Sequence, residues 1–261
     1  MYGFSVLLHG VTGSFREPSS HLYQATLPLP PVSALVGMAG AAVGKRFEKA
    51  WPSFMAMGLF VGASGTVKGR GIDLWRYRKV SQAKEKDKKD SDVFVLGTKA
   101  IRSAVLNREF LVYPRITAFY ASKDRGKIAD LREAFTDPIF AISLGNSDEI
   151  ACAMKVSEVC EVEELKETTS FRDTFLHGDH ADDVRFDWEA LKRSGVAQPL
   201  RAPLVRPLIV DFAFDGAERH ASCLQPFTFL SGYQCLGHPQ RAFQFDGGSP
   251  IPLYGLREGS R

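Results

Sequence analysis

The residues best suited to binding chemistry lie in a polar loop and at the start of the small-residue helix predicted after it. Phe15 and Arg16 give this loop an aromatic ring and a guanidinium, and Ser33 follows the proline-rich stretch 28–31. Pro31 takes a helical φ itself but disfavours the α region for the residue before it, so the helix is predicted to begin at Pro31 or at the next residue. The free N–H groups at such a helix start favour anions. The segment is therefore predicted to face the backbone of a nucleic acid.

A second group of candidate residues alternates cations with aromatic side chains. In a strand, Trp75 and Tyr77 share one face, while Arg76 and Arg78 share the other. Aromatic rings stack on unpaired bases and cations neutralise phosphates, so this pattern favours single-stranded RNA. The alternative is that the rings pack on the core and the cations are solvated. The candidate residues of this arm are Lys68, Arg70, Trp75, Arg76, Tyr77, Arg78 and Lys79. The tip that follows, residues 84–92, mixes both signs of charge and is predicted to be a solvated loop.

Charge is distributed unevenly along the chain. The formal net charge is only +3. Residues 65–108 nevertheless contain 12 Lys or Arg against 5 Asp or Glu, whereas residues 148–190 contain 4 against 13. This separation predicts one surface for a polyanion and another for a different partner, such as a basic protein.

Several other chemistries have weaker support. The glycines at 37, 40 and 44 resemble a phosphate-binding loop, but Ala39 and Arg46 stand where that motif needs glycine and a hydroxyl, so the glycines are predicted to pack the helix on the sheet. Residues 177–183 contain metal-capable side chains without spaced partners elsewhere, which predicts a solvated acidic loop. The four cysteines form no C-x-x-C pair and are predicted to be buried reduced thiols. No cofactor or metal is predicted.

One catalytic alternative stays open. Metal-independent ribonucleases need a general acid, a general base and a cation, which His, Tyr and Lys can supply. His21 and Tyr23 lie in the N-terminal loop, and lysines of the basic arm could approach them. The sequence contains no tight Lys-His pair, so RNA cleavage remains the second hypothesis.

The pattern of apolar residues predicts an α+β fold. Strands are expected at 4–11, 54–63, 109–121 and 151–162, and helices at 32–47 and 124–135. The order β-α-β-β-α-β is that of ferredoxin-like domains, including RNA-recognition modules. Residues 66–107 interrupt it as an extended β-hairpin. The predicted domains are 1–162 and a smaller β-rich subdomain at 163–261. No apolar run of about 18 residues is present, so no membrane contact is expected and the predicted location is cytoplasmic.

Three segments together resemble one family. They are the N-terminal stretch, with Phe15-Arg16-x-Pro18 and residues 26–37 (TLPLPPVSALVG), residues 108–114 (REFLVYP), and residues 144–151 (LGNSDEIA). They are similar to the CRISPR-associated family five proteins ("Cas five"), which are RAMP-type subunits of the Cascade surveillance complex. The third segment departs from the family pattern L-G-x-S-E-x-x-A because Asp148 separates Ser147 from Glu149. The resemblance covers about residues 1–160.

The resemblance implies a non-catalytic subunit of a type I Cascade that binds the 5′ handle of the CRISPR RNA (crRNA). It also implies a thumb hairpin at the handle–spacer junction, contacts with the first backbone subunit and the large subunit, and only indirect contact with target DNA. One branch of the family cleaves precursor RNA with a Tyr/Lys/His set, for which this sequence has no clear equivalent. The residues implied to meet RNA are Phe15, Arg16, His21, Tyr23 and Ser33 in the N-terminal segment, the arm from 68 to 79 with Lys99, Arg102 and Arg108 on its return, and Gly145, Asn146 and Ser147.

Overall fold

A computed structural model describes residues 1–20, 23–85, 90–194 and 202–256. Most elements in this part of the chain are strands, and four α-helices lie between them in the sequence. The strands are β1 (Tyr2–His9), β2 (Thr12–Gly13), β3 (Phe15–Arg16), β4 (Tyr23–Gln24), β5 (Thr26–Leu27), β6 (Phe60–Thr66), β7 (Gly69–Gln82), β8 (Val93–Leu96), β9 (Lys99–Val112), β10 (Arg115–Ser122), β11 (Ala153–Val156), β12 (Cys160–Thr168), β13 (Thr174–His177), β14 (Val184–Phe186), β15 (Leu204–Asp215), β16 (Glu218–Leu230), β17 (Gln234–Leu236), β18 (Gln240–Phe245) and β19 (Tyr254–Gly255). The helices are α1 (Val32–Ala42), α2 (Phe47–Ala56), α3 (Arg125–Thr136) and α4 (Trp188–Ser194).

The central sheet joins strands from both ends of the sequence. Its order is β15-β16-β13-β6-β10-β1-β12-β18, with β11 also paired to β1. Within it, β6, β10, β1 and β11 are neighbours in that order, and all their pairings are antiparallel. Helices α1 and α3 connect these strands, so the predicted alternation of strands and helices is present.

Helix α3 forms as the sequence predicts. The Asp124 carboxylate accepts a hydrogen bond from the Lys127 backbone N–H at 3.1 Å, which caps the free N–H groups of the first turn. Ile128, Leu131 and Phe135 lie on one face and are buried. In the main core, the Phe135 ring meets the rings of two sheet residues, Phe4 and Tyr120.

The region between the first two sheet strands was predicted incorrectly. The helix expected at 32–47 ends at Ala42, and a second helix, α2, follows where part of a strand was expected from residue 54. Short apolar runs cannot be assigned to helix or strand by periodicity alone, and Pro52 inside α2 argues against a helix on sequence grounds. The strand itself begins at Phe60, after a turn in which Gly58 has a φ of +64°.

Two other predicted strands are each divided. The strand expected at 109–121 breaks at Tyr113, which has a φ of +46°, and Pro114, so that β9 belongs to a separate sheet and β10 to the central one. The strand expected at 151–162 becomes β11 and β12, which both pair with β1. Pro114 lacks a backbone N–H, which explains why the ladder ends there.

Residues after 162 complete the central sheet. The predicted boundary falls inside β12, whose partner on the far side is β18. In the other direction, Thr174 of β13 pairs with Ser64 of β6, and β13 pairs antiparallel with β16. Phe175 and Phe227 from this region belong to the main core. Within the described residues, no helix is long and apolar enough to cross a membrane.

Candidate nucleic-acid interface

A cavity of about 660 Å³ lies between the N-terminal segment, α1, the 143–146 loop and the β15–β16 hairpin. The predicted residues Phe15, Arg16, Ser33, Gly145 and Asn146 all line it. Arg16 is exposed, and in the described part of the chain it makes no ion pair. No Asp or Glu occurs among the described residues that line the cavity. The cavity is therefore a cationic space suited to an anionic ligand.

The N-terminal wall of the cavity is fixed by backbone pairing. Phe15 and Arg16 pair with Leu27 and Thr26, and the Phe15 N–H donates to the Thr26 hydroxyl at 2.8 Å. The Phe15 side chain is only 2% exposed and packs in the main core. Phe15 therefore anchors this wall, and its ring is not presented to solvent for stacking on a base.

Helix α1 begins at Val32, as the sequence predicts. The Pro31 carbonyl accepts from the N–H groups of Ala34 at 2.9 Å and Leu35 at 3.1 Å. The N–H groups of Val32 and Ser33 precede these first intrahelical donors. Because Ser33 lines the cavity, this end of the helix dipole contributes partial positive charge there.

The loop at 144–149 is held against the N-terminal segment by a buried network. The Ser14 hydroxyl donates to Glu149 Oε2 at 2.6 Å and accepts from Asn146 Nδ2 at 2.9 Å. The Asn146 N–H also donates to Glu149 Oε2, at 3.0 Å, and the Ser14 N–H donates to the Leu144 carbonyl at 2.9 Å. Gly145 has a φ of +126°, and a Cβ there would lie 1.7 Å from the Ser14 carbonyl oxygen. Only glycine permits this close approach. Ser147 is exposed and lies outside the cavity lining.

The basic arm forms the predicted long hairpin. Strands β7 and β9 pair antiparallel without a register shift from Gly69↔Val112 to Gln82↔Lys99, and β8 pairs with the other edge of β9. Trp75 and Tyr77 stack on each other, with ring centroids 5.3 Å apart and an interplanar angle of 30°. On the same face, Lys79 lies directly opposite Arg102. Like charges at opposed positions destabilise a strand pair, so this face favours an anion.

The opposite face of the hairpin is more apolar than the sequence analysis expected. Arg76 and Arg78 point to this face, as predicted, and Lys99 occupies it at the tip end of β9. Around them lie exposed apolar side chains from all three strands of the hairpin sheet. They are Ile72, Leu74, Val80, Phe94, Leu96 and Val105.

Two predicted arginines form ion pairs at the base of the hairpin. Arg70 lies 3.4 Å from Glu109 and donates to the Thr26 carbonyl at 3.2 Å. Arg108 is 8% exposed and lies 3.6 Å from both Asp73 and Asp148. These contacts tie the hairpin to its surroundings. Asp148, the residue that interrupts the expected family pattern, thus contacts the hairpin directly.

Comparison with known proteins identifies the family. Residues 6–202 match the sequence profile described as "CRISPR-associated protein (Cas_Cas5)". The chain belongs to the Cas5 family. A crystal structure of a CRISPR protein from Archaeoglobus fulgidus aligns over 97% of this chain and 99% of that chain, with 14% identity and a TM-score of 0.51, which shows a similar fold. A chain of a CRISPR RNA-guided surveillance complex aligns over 89% of this chain and 91% of that chain, with 15% identity and a TM-score of 0.47. Among curated proteins, none matches this sequence significantly.

The two residues of the catalytic alternative in this Cas5 chain are not equally well placed. Partial burial raises the pKa of the Tyr23 phenol, and its hydrogen bond to the Glu109 carboxylate raises the pKa further. A raised pKa disfavours the phenolate that a general base requires. His21 lies outside the described residues.

Other sequence motifs of the Cas5 chain take different places from those expected. Gly40 lets α1 approach α2, since a Cβ there would lie 3.0 Å from the Ala50 Cβ, while Gly37 opens on the cavity with nothing within 4 Å. A Cβ at Gly44 would meet Ile139, which lies outside the strands, so the prediction that these glycines pack α1 on the sheet is wrong. All four cysteines are free thiols, but Cys152 is exposed and the other three are only partly buried, so the prediction of buried thiols is wrong. Lys68 is exposed and lies over the Tyr113 ring at 5.3 Å.

Part of the cavity lining consists of residues that the sequence did not indicate as site residues. Phe47 from α2, together with Phe212 and Arg219 from the β15–β16 hairpin, also lines the cavity. The C-terminal residues carry no motif of the family, and their position at the cavity depends on how the hairpin joins the central sheet. Phe47 is distant in sequence from Phe212 and Phe214. Nothing in either segment alone indicates that they line the same cavity.

Proposed function

We propose that this Cas5 family protein is the RNA-binding subunit of a type I Cascade surveillance complex. In this role it binds and caps the 5′ handle of the crRNA and contacts the large subunit and the first backbone subunit. Target DNA is engaged only through the guide RNA. Membership of the family supports a role in a CRISPR effector complex. The RNA-binding part rests on the cavity that contains Arg16, whose described lining includes no Asp or Glu.

The proposed scaffold is a ferredoxin-like RAMP domain. Its sheet consists of β6, β10, β1 and β11 in spatial order, with α1 and α3 as the crossing helices. This antiparallel arrangement has the connectivity of the split β-α-β fold. The β7–β9 hairpin, inserted between the second and third strands of this sheet, corresponds to the thumb.

The cavity has the size and charge for one or two nucleotides. Binding pockets for small ligands commonly enclose about 300–1,000 Å³, and this cavity holds about 660 Å³. Arg16 can pair with a phosphate through two parallel N–H donors. The start of α1 and the Asn146 amide supply further polar groups, so phosphate and base edges both have partners.

The aromatic face of the thumb supplies a second contact surface. The Trp75–Tyr77 stack is partly exposed and can extend to an unpaired base, which contributes about 1–3 kcal/mol per base in comparable sites. Lys79 and Arg102, directly opposed on the same face, neutralise the adjoining phosphates. Arg70 and Arg108 tie the base of the thumb to the Thr26 carbonyl and to Asp148, and their contact with RNA stays a prediction.

We further propose that the subunit does not cleave RNA. The Tyr23 hydroxyl is engaged by Glu109, and the raised pKa of Tyr23 opposes its use as a base. Incubation of the purified protein with precursor crRNA in EDTA tests this directly. Appearance of a defined cleavage product would establish the endoribonuclease alternative.

Salt-dependent binding of a repeat-derived RNA tests the proposed function. The affinity should fall as salt rises, with a log–log slope of about −0.7 for each phosphate that is neutralised. Arg16→Ala should weaken binding about tenfold, the loss expected for one charge-assisted contact of about 1.4 kcal/mol. Arg241→Ala is the matched control, because Arg241 lies over the Phe243 ring and pairs with Glu164, away from the cavity. An affinity that changes neither with salt concentration nor with RNA sequence would refute the proposal.

A further inference from the structure

The β15–β16 hairpin presents one face of aromatic and cationic residues to the cavity. In its register, Phe212 lies opposite Ala221 and Phe214 lies opposite Arg219, so these four side chains share a face. Phe212 packs edge-on against Phe47 of α2, with ring centroids 5.1 Å apart. This contact fixes the hairpin against the helix layer.

Arg219 is held in place by these rings and by no carboxylate. Its Cζ lies 4.7 Å from the centroid of the Phe47 ring and 5.8 Å from that of the Phe212 ring. Within the described residues, Arg219 makes no ion pair. Contact with ring faces orients a guanidinium without using its N–H donors, which remain available to an anion. Other arginines, such as Arg70, Arg108 and Arg241, do pair with an acid.

The cavity is thus lined by two guanidinium groups that make no ion pair within the described residues. Arg16 comes from the N-terminal segment and Arg219 from the C-terminal hairpin, and both line the same space. No Asp or Glu is among the described lining residues. The Glu149 carboxylate lies beside the lining and accepts hydrogen bonds from Ser14 and Asn146. Two cations that share a confined, partly apolar cavity repel each other unless an anion is bound. A polyanionic strand with successive phosphates meets this requirement better than a single small anion.

We propose that Arg219 is a second phosphate-binding residue of the cavity and that the β15–β16 hairpin closes the cavity over a single-stranded RNA held on the other side by Arg16. This inference rests on the proposed function and extends it to a part of the chain outside the family's sequence motifs. The C-terminal hairpin then forms part of the RNA-binding site, in addition to its place in the central sheet.

Three variants test the inference by titration of repeat-derived RNA over a salt series. Arg219→Ala should weaken binding about tenfold and make the log–log salt slope shallower by about 0.7, the value for one phosphate. Arg219→Lys should keep the slope but recover only part of the affinity, because an ammonium keeps the charge and loses the planar fork. Ala221→Trp, which fills the cavity without removing charge, should also weaken binding. Arg241→Ala should leave both affinity and slope unchanged.

The outcomes separate this inference from the proposed function. If the wild-type protein shows no salt-dependent RNA binding, the proposed function and this inference both fail. If Arg16→Ala weakens binding while Arg219→Ala and Ala221→Trp change neither affinity nor slope, only this inference is overturned. Inorganic phosphate at millimolar concentration should compete weakly, and competition as strong as that of RNA would identify a small-anion site instead. Thermal melts of each variant show whether it is folded, and Arg219→Lys retains the test if Arg219→Ala does not fold.

Discussion

Gly145→Ala perturbs the junction between the N-terminal wall and the 144–149 loop. The new Cβ would lie 1.7 Å from the Ser14 carbonyl oxygen, and real Cβ contacts essentially never fall below 3.0 Å. The loop must therefore retreat by at least about 1.3 Å relative to Ser14. The obstructing atom is backbone, so no side-chain rotation relieves the clash.

The expected loss of stability follows from the contacts that this shift breaks. Three hydrogen bonds cross the junction, namely Ser14 N–H to the Leu144 carbonyl at 2.9 Å, Asn146 Nδ2 to the Ser14 hydroxyl at 2.9 Å, and the Ser14 hydroxyl to Glu149 at 2.6 Å. Two are neutral and contribute about 1 kcal/mol each, while the one to a carboxylate contributes about 1.5–3 kcal/mol. The free energy of unfolding should fall by about 3–5 kcal/mol.

Urea denaturation of matched glycine variants measures this loss. Gly216 also has a positive φ, +58°, but a Cβ there would meet nothing within 4 Å. Gly216→Ala therefore reports backbone strain alone and should cost about 1–2 kcal/mol. If Gly145→Ala is destabilised no more than Gly216→Ala, the close contact with the Ser14 carbonyl does not hold the loop in place. Where it remains folded, Gly145→Ala should also weaken RNA binding, since the displaced loop carries Asn146.

Three further predictions concern other parts of the molecule. Tyr120→Phe should lower the free energy of unfolding by about 1 kcal/mol, because the buried hydroxyl donates to a carbonyl of α1. Burial raises the pKa of Tyr120 in the folded state. The stabilising contribution of the phenol is therefore fully present below about pH 10 and is lost as pH rises toward the folded-state pKa. In urea titrations at alkaline pH, the stability of the wild-type protein should fall more steeply than that of Tyr120→Phe. Asp148→Asn should change the free energy of unfolding by less than about 1 kcal/mol, because the Asp148 carboxylate is largely exposed. Arg108→Ala should lower it by about 2–3 kcal/mol, because the Arg108 side chain is buried. Hydrogen exchange at the hairpin base should rise in both variants, and equal losses of stability would contradict the prediction. Iodoacetamide near pH 8 should label the exposed Cys152 before Cys160, because burial raises the pKa of the Cys160 thiol, as peptide mass spectrometry would show.

Local sequence rules predicted the features that depend on local chemistry. The start of α1 follows from the restrictions of Pro31 and the residue before it, and α3 follows from the apolar face formed by Ile128, Leu131 and Phe135. The face shared by Trp75 and Tyr77 follows from strand alternation once the hairpin is assumed. These predictions needed no information about distant partners, which explains their success.

The features that depend on distant partners could not be predicted in this way. The sequence presents Arg70 as a cation available to RNA, but its ion pair with Glu109 requires the register of β7 and β9. Phe15 is a loop residue by composition, yet its burial depends on core residues far along the chain. Arg219 reaches the cavity only because the C-terminal hairpin extends the central sheet.

Photo-crosslinking of 4-thiouridine-substituted repeat RNA to the protein, mapped by mass spectrometry, shows which residues contact the RNA. We expect crosslinks to the peptides around Arg16, Asn146 and Arg219, together with the aromatic face of the thumb at Trp75 and Tyr77. We expect none to the acidic strand β12. Crosslinks confined to β12 and β18, with the cavity residues unmodified, would contradict the assignment of the cavity as the RNA-binding site.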